Sequence, residues 1–215
     1  MRILSLLIFS AIFANDRSWD EKLLYSASFG GIDVATATLK SKKIKNIENE
    51  DILRIEFKAK SKPSLKYIFP INDKIIVDVD LNTWQPLKVE KKIREGSYKQ
   101  NSLSTFDHKN NIFIYNKDSI SYDGEIFNPY SLIYYFRTLD FSSDSNYKIQ
   151  VVDNKKLTQL KFFTDKKKEV NTEFGKFYAN KIWPKKINGE SFKNAGKITI
   201  WVSDKDKLPI IINLK

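Results

Sequence analysis

Period-two alternation runs through most of the chain. It is cleanest at Leu53, Ile55, Phe57 and Ala59, set against Arg54, Glu56, Lys58 and Lys60, so one face of an extended strand is apolar and the other wet. The same pattern holds for Ala35, Ala37 and Leu39 against Thr36, Thr38 and Lys40, and for Leu87, Val89 and Ile93 against Lys88, Glu90, Lys92 and Arg94. Short β-branched or aromatic runs follow at 75–79, 112–115, 149–152, 157–163, 177–183, 198–202 and 210–214. Between the runs stand turn-forming pairs: Gly30 and Gly31, Asn72 and Asp73, Asn110 and Asn111, Asp123 and Gly124, Asp153 and Asn154, Asn188 and Gly189. About eleven or twelve short strands joined by hairpins predict a mainly β protein, built as a strongly curved antiparallel sheet that forms an open or closed barrel.

One segment breaks the alternation. Asn128 suits a helix N-cap, Pro129 suits the first helical position, and the residues from Tyr130 to Leu139 are apolar almost all round. A short helix is therefore predicted over residues 129–139. Leu132, Ile133 and Phe136 form one stripe and Tyr130 and Tyr134 another, so both sides should be covered. The expected arrangement is a helix inserted into, or laid across, the mouth of the curved sheet.

The N-terminus has its own pattern. Arg2 supplies a single positive charge, Ile3 to Phe13 is an eleven-residue apolar run broken only by serines, and Ala14 precedes the polar Asn15, Asp16 and Arg17. This is the layout of a secretory signal peptide over residues 1–14. A spanning helix needs about 20 apolar residues, so the mature chain is not expected to cross a membrane on a helix. Residues 15–215 then form one exported, periplasmic β domain, of a size that buries roughly 70% of its unfolded surface. The chain has no Cys, which excludes a disulfide framework, a thiol nucleophile and a lipidated N-terminal cysteine. A monomer is expected.

Net charge is +11, and nearly all of the positive charge is lysine, since arginine occurs only at positions 2, 17, 54, 94 and 137. Arginine is the residue that grips phosphates and bases bidentately, so nucleic acid is not expected as a partner. Attraction to anionic lipid head groups stays open. The simpler account is lysine on wet strand faces and edges, which keeps the sheet soluble and its edges unpaired.

Candidate chemistry is sparse. His108 is the one histidine, and it lies where a strand runs into a turn, a place where the ring is usually exposed. Gly-x-Ser-x-Gly nucleophile elbows and phosphate-cradling glycine loops are absent from the sequence. Asp78, Asp80 and Asn82 imitate the first ligands of a calcium loop, but Thr83 stands where glycine is needed and Val89 where the bidentate glutamate is needed. They read as the wet face of a strand, and Asp204 and Asp206 as a turn. No catalytic residue, metal site or cofactor is expected.

Aromatic residues make up 13% of the chain, more than a small β core demands. Core packing takes most of them, and the surplus around Tyr130, Tyr134, Tyr135 and Phe136 suits the wall of an apolar pocket. Arg137 on an otherwise apolar helix needs a partner, either a carboxylate or helix-end carbonyl, or the head group of a ligand. The candidate ligand-binding residues are Tyr130, Ile133, Tyr134, Phe136 and Arg137, with Trp183 and Trp201 as core-wall residues that also contact ligand.

Several stretches carry a resemblance. Leu24, Tyr25 and 31–39 look like an opening hairpin; Asp80, Leu81, Thr83, Pro86 and Arg94, Glu95, Gly96 look like a middle stretch. Asn128, Pro129, Ser131, Leu132 and Arg137 resemble a helix motif usually written Asp-Pro-Leu-Ser-Ala with a following arginine; Gly175, Phe177 and Pro184 come next. Ile200, Trp201, Val202, Ser203, Asp204 with Leu208, Pro209 and Ile210 resemble a closing signature. Together they are similar to the bacterial domain-of-unknown-function 3108 family of exported proteins, which implies no established activity. The ending also resembles that of the periplasmic lipoprotein carriers of the Lol type, which implies an open half-barrel covered by a helical lid. Two functions follow as expectations. One is a non-enzymatic periplasmic protein that binds a lipid or lipophilic molecule in a helix-covered groove. The other is an envelope assembly or interaction scaffold without a small-molecule ligand. An outer-membrane barrel fits poorly, because Lys215 stands where a terminal aromatic is expected and an internal apolar helix is awkward there.

Overall fold

The alternating runs become one long sheet. A computed structural model describes residues 5–9, 19–29, 32–68, 70–141, 147–165, 167–172, 175–187 and 199–213. The turns expected at Gly30–Gly31 and Asn188–Gly189, and most of the expected leader, lie outside these residues. An N-terminal strand β1 (Ser5–Phe9) precedes a meander of β2 (Glu21–Phe29), β3 (Ile32–Lys45), β4 (Asp51–Ser61), β5 (Asn72–Asp80), β6 (Pro86–Glu95), β7 (Tyr98–Asp107), β8 (Ile112–Tyr115) and β9 (Asp118–Ser121). Then come β10 (Ile126–Phe127), helix α1 (Pro129–Phe136), β11 (Tyr147–Asp153), β12 (Lys156–Thr164), β13 (Lys168–Thr172), β14 (Gly175–Lys186), β15 (Thr199–Ser203) and β16 (Pro209–Asn213).

Spatial order runs β10, β11, β12, β14, β15, β16, β1 and then β2 through β9, with β13 on the edge of β14. Every pairing is antiparallel except β10 with β11. The first run of the chain, read above as a leader, is extended here and hydrogen-bonded between β16 and β2. Register shifts at Ala27/Ser28, Asp78/Val79 and Trp201/Val202 add the local twist that curls the sheet. The two end regions of the sheet meet through side chains. Phe113 and Tyr122 pack with Ile126 and Val152, the Gln85 side chain accepts from the Ile126 amide (3.0 Å), and Gln100 donates to Asn154 (2.6 Å). The result is a strongly curved, open half-barrel, as the alternation predicts.

Sixteen strands form among the described residues, more than the eleven or twelve expected, and three of the additional ones share a character. β7 (YKQNSLSTFD), β9 (DSIS) and β13 (KEVNT) are largely polar and follow the register of a neighbour rather than a hydrophobic stripe of their own. Gly96, at φ 58°, makes the tight turn that folds β7 back on β6. Asn72 and Asp73 open β5 instead of forming a turn. Asp73 is buried there because its carboxylate accepts from the Arg94 amide (2.8 Å).

Helix α1 is fixed at its start by a reciprocal cap. The Asn128 side chain accepts from the amides of Tyr130 and Ser131 (both 2.8 Å), and the Ser131 hydroxyl accepts from the Asn128 amide (3.1 Å). It ends at Phe136, three residues before the predicted Leu139. There the chain tightens: the Thr138 amide donates to Tyr135 and the Leu139 amide to Phe136, while the Thr138 hydroxyl takes the Tyr135 carbonyl a second time (2.7 Å). Replacing Asn128 by Ala should lower the unfolding free energy by about 1 kcal/mol in urea titration, and Asn128→Asp should recover most of it.

Candidate functional site

The concave side of the sheet is lined by alternate residues of successive strands. Leu23, Tyr25 and Ala27 come from β2, Ala35, Ala37 and Leu39 from β3, Leu53, Ile55 and Ala59 from β4, and Ile75, Val77 and Val79 from β5. Alanine faces alanine in two registered pairs, Ala27 with Ala35 and Ala37 with Ala59, which keeps the floor low in the middle of these strands. Helix α1 occupies the space this leaves. Tyr134 and Phe136 have no solvent-accessible surface, and Leu132 and Ile133 are buried. The aromatic contacts are specific: Tyr130 lies 5.3 Å from Phe57, Phe136 packs edge-on against Phe162 at 4.8 Å, and Tyr135 meets Phe127 at 4.7 Å.

One charged contact fastens the C-terminal end. Arg137 forms a bidentate pair with Glu21, whose strand parity with Leu23 and Tyr25 points it inward, and Nη2 to Oε2 is 3.0 Å. Both partners are largely withdrawn from solvent, with side-chain exposures of 7% and 15%. The guanidinium also lies against two rings that meet each other at 6.1 Å, 5.0 Å from Trp19 and 5.0 Å from Tyr134. Trp19 in turn packs edge-on against Trp84 at 4.6 Å, and its carbonyl accepts from Ser41. The segment just before β2 is thus a strap across the end of the helix.

Of the expected ligand-binding residues, Tyr130, Ile133, Tyr134, Phe136 and Arg137 are brought together in this seat. Arg137 takes the carboxylate alternative. Trp183 and Trp201 are elsewhere: Ile182, Ile200 and Val202 face the core, so their tryptophan neighbours project from the opposite, convex side. Neither lines the groove. The residues missed from sequence are Glu21, Trp19 and Trp84. Glu21 carried a signal, since extending the Leu23, Tyr25, Ala27 alternation backwards places a carboxylate on an inner face, where it demands a cation.

Other candidates resolve into structure. His108 is not an exposed ring, because Nε2 donates to the Pro86 carbonyl (2.8 Å) and Nδ1 meets the Tyr122 hydroxyl (2.7 Å), which commits both nitrogens. Asp78 lies on the outer face but is buried under Arg54, directly opposite on β4, in a two-pronged pair at 2.7 and 2.8 Å. Asp80 turns its oxygen onto the amides of Asn82 and Thr83, at 2.7 and 2.8 Å. A cleft of about 210 Å³ opens beside the start of α1, lined by Asp123, Glu125, Phe127, Lys148, Ile149, Gln150 and Gln159. Its polar lining does not continue the apolar seat of the helix.

Two buried hydroxyls in the seat, those of Tyr25 and Tyr134, find no hydrogen-bond partner among the described residues. Burial pushes both tyrosines above the ordinary tyrosine range; the neighbouring Tyr134 phenol and Glu21 add to this at Tyr25, and Glu21 adds to it at Tyr134, while the Arg137 cation pulls the other way at both. A tyrosine with a raised folded-state value leaves stability intact below about pH 10 and removes it as pH rises above that, because only the unfolded chain ionises there. Absorbance titration at the tyrosinate band should therefore show these two groups ionising only together with unfolding. Glu21→Ala leaves a buried guanidinium unpaired and should cost about 3–5 kcal/mol in urea denaturation, whereas Glu21→Leu with Arg137→Met should recover most of that loss.

Comparison with known proteins places this geometry in a family. No curated protein and no solved structure matches the chain. A family model does: residues 24–215 match the model described as a protein of unknown function (DUF3108), in agreement with the motifs quoted above, and the chain belongs to that family.

Proposed function

We propose that the chain is a non-enzymatic protein of the cell envelope, exported by a leader over its first fourteen residues so that the mature half-barrel lacks β1, and that it takes a lipophilic molecule into the concave side of that half-barrel. In this reading α1 is the resident occupant of the site and gives way to the ligand. The observation that carries it is the filling of an apolar, alanine-floored concavity by one eight-residue helix held at its far end by the Glu21–Arg137 pair. An eight-residue helix has little stability of its own and depends on its packing, so a ligand that supplies equivalent apolar contacts competes with it directly. Tyr25, on the floor of the concavity, would then offer its hydroxyl to the polar end of the guest. An open curved sheet with a helix on its inner side is also what the likeness to the Lol-type carriers implies. No helix among the described residues is long and apolar enough to cross a membrane.

A second reading is favoured by the filled interior itself. If α1 never leaves its seat, it is core, and the sheet is a scaffold for envelope partners. Native mass spectrometry and organic extraction of the protein purified from the envelope should separate the two. The binding reading expects a co-purifying amphiphile and uptake of a fluorescent fatty-acid probe that speeds up in Glu21→Gln. An empty extract, with no probe uptake by either protein, would leave the scaffold.

A further inference from the structure

On the convex side of β12, β14 and β15, opposite the helix, the alternate positions carry an unusual set. They are Lys161 and Phe163; Lys181, Trp183 and Lys185; and Trp201. Register places Phe163 beside Trp183, Lys161 beside Lys185, and Lys181 beside Trp201. The Phe163 and Trp183 rings stack at 5.9 Å and 17°. Each ring is roofed by an ammonium group: Lys185 and Lys161 stand 5.0 and 5.2 Å from Phe163, and Lys181 stands 5.2 Å from Trp183 and 5.9 Å from Trp201. Among the described residues none of the three lysines pairs with a carboxylate. The rings are half-buried, and Ile187, just past β14, is 49% exposed.

Trp201 also packs against a small outer cluster of Ala179, Ile210 and Ile211, but Phe163 and Trp183 belong to none of the apolar clusters among the described residues, and water-facing rings gain nothing there, so the patch calls for a partner. We propose that this aromatic–lysine ladder docks the protein on the surface of an anionic phospholipid bilayer. Amphipathic rings belong at head-group level, and lysines beside them meet lipid phosphates. The patch covers three adjacent strands and the length of four residues, roughly 10 by 13 Å. Its strands are interior to the sheet, each already paired on both sides, so a peptide has no free edge to extend. The absence of arginine from the ladder argues against a nucleic-acid grip. The chain's charge of +11 draws the whole molecule toward the same surface. Because the ladder and the helix seat lie on opposite faces, the docking surface stands whether or not the concave side takes a ligand.

The test is sedimentation of the envelope-purified protein with vesicles of equimolar phosphatidylglycerol and phosphatidylcholine, against vesicles of phosphatidylcholine alone. Wild type should bind the anionic vesicles and not the neutral ones. The combined variant Lys161→Gln, Lys181→Gln, Lys185→Gln should bind roughly 100-fold more weakly, since each lysine near a charged surface counts for about fivefold. An equal charge change elsewhere, Lys40→Gln, Lys42→Gln, Lys60→Gln on the outer face of β3 and β4, should change binding by no more than about threefold. Brominated lipid should quench the wild-type tryptophan signal, and Trp183→Phe with Trp201→Phe should remove that quenching while circular dichroism is unchanged. No binding to anionic vesicles would overturn the proposal. So would equal losses in the two lysine variants, which would assign binding to diffuse charge, or quenching that survives loss of both tryptophans.

Discussion

A sheet curled into a half-barrel has to fill its own inside. Side chains from one curved surface converge, but where the floor is alanine, as at Ala27, Ala35, Ala37 and Ala59, they cannot reach the middle. Something must be placed there, and α1 is placed there. Its rings supply the missing volume, and the packing density of a protein interior leaves no cheaper way to avoid a void. Nearly every other feature of the concave side follows from this need. Asn128 and Ser131 start the helix at one place, Thr138 stops it early, and Glu21 with Trp19 pins the arginine that the helix end would otherwise leave stranded.

The two faces of the sheet solve different problems. Inside, a charged pair survives because it is bidentate and lies against two rings, and because Arg137 reaches the place where an inward carboxylate needs a cation. Outside, Arg54 covers Asp78 in the same two-pronged manner at the surface. The ladder on β12, β14 and β15 departs from both patterns. Its cations lie over rings instead of carboxylates, which leaves their charge available to a partner.

How much of this was legible in the sequence depended on how far each residue's neighbours lie along the chain. Leu53 to Ala59 and Ala35 to Leu39 declare their strands alone, because alternation is local, and Asn128–Pro129 declares the helix start for the same reason. β7, β9 and β13 carry no such stripe and are strands only because a neighbour offers backbone partners. Arg137 announced its need for an anion but not the identity of that anion, which lies 116 residues away. Trp183 and Trp201 were misplaced for a different reason. In a β protein a tryptophan is expected to seek the core, yet strand parity, fixed here by Ile182, Ile200 and Val202, turns both outward.

The central claim is that α1 is a seated occupant, separable from the sheet, and not a permanent part of the core. Native-state hydrogen exchange of the amides from Leu132 to Arg137 measures this directly. The account predicts that these amides exchange through an opening of lower free energy than global unfolding, while those of Ile55 and Val77 beneath them exchange only when the whole domain unfolds. Helix and floor amides exchanging together, with one shared free energy and one shared denaturant dependence, would contradict it.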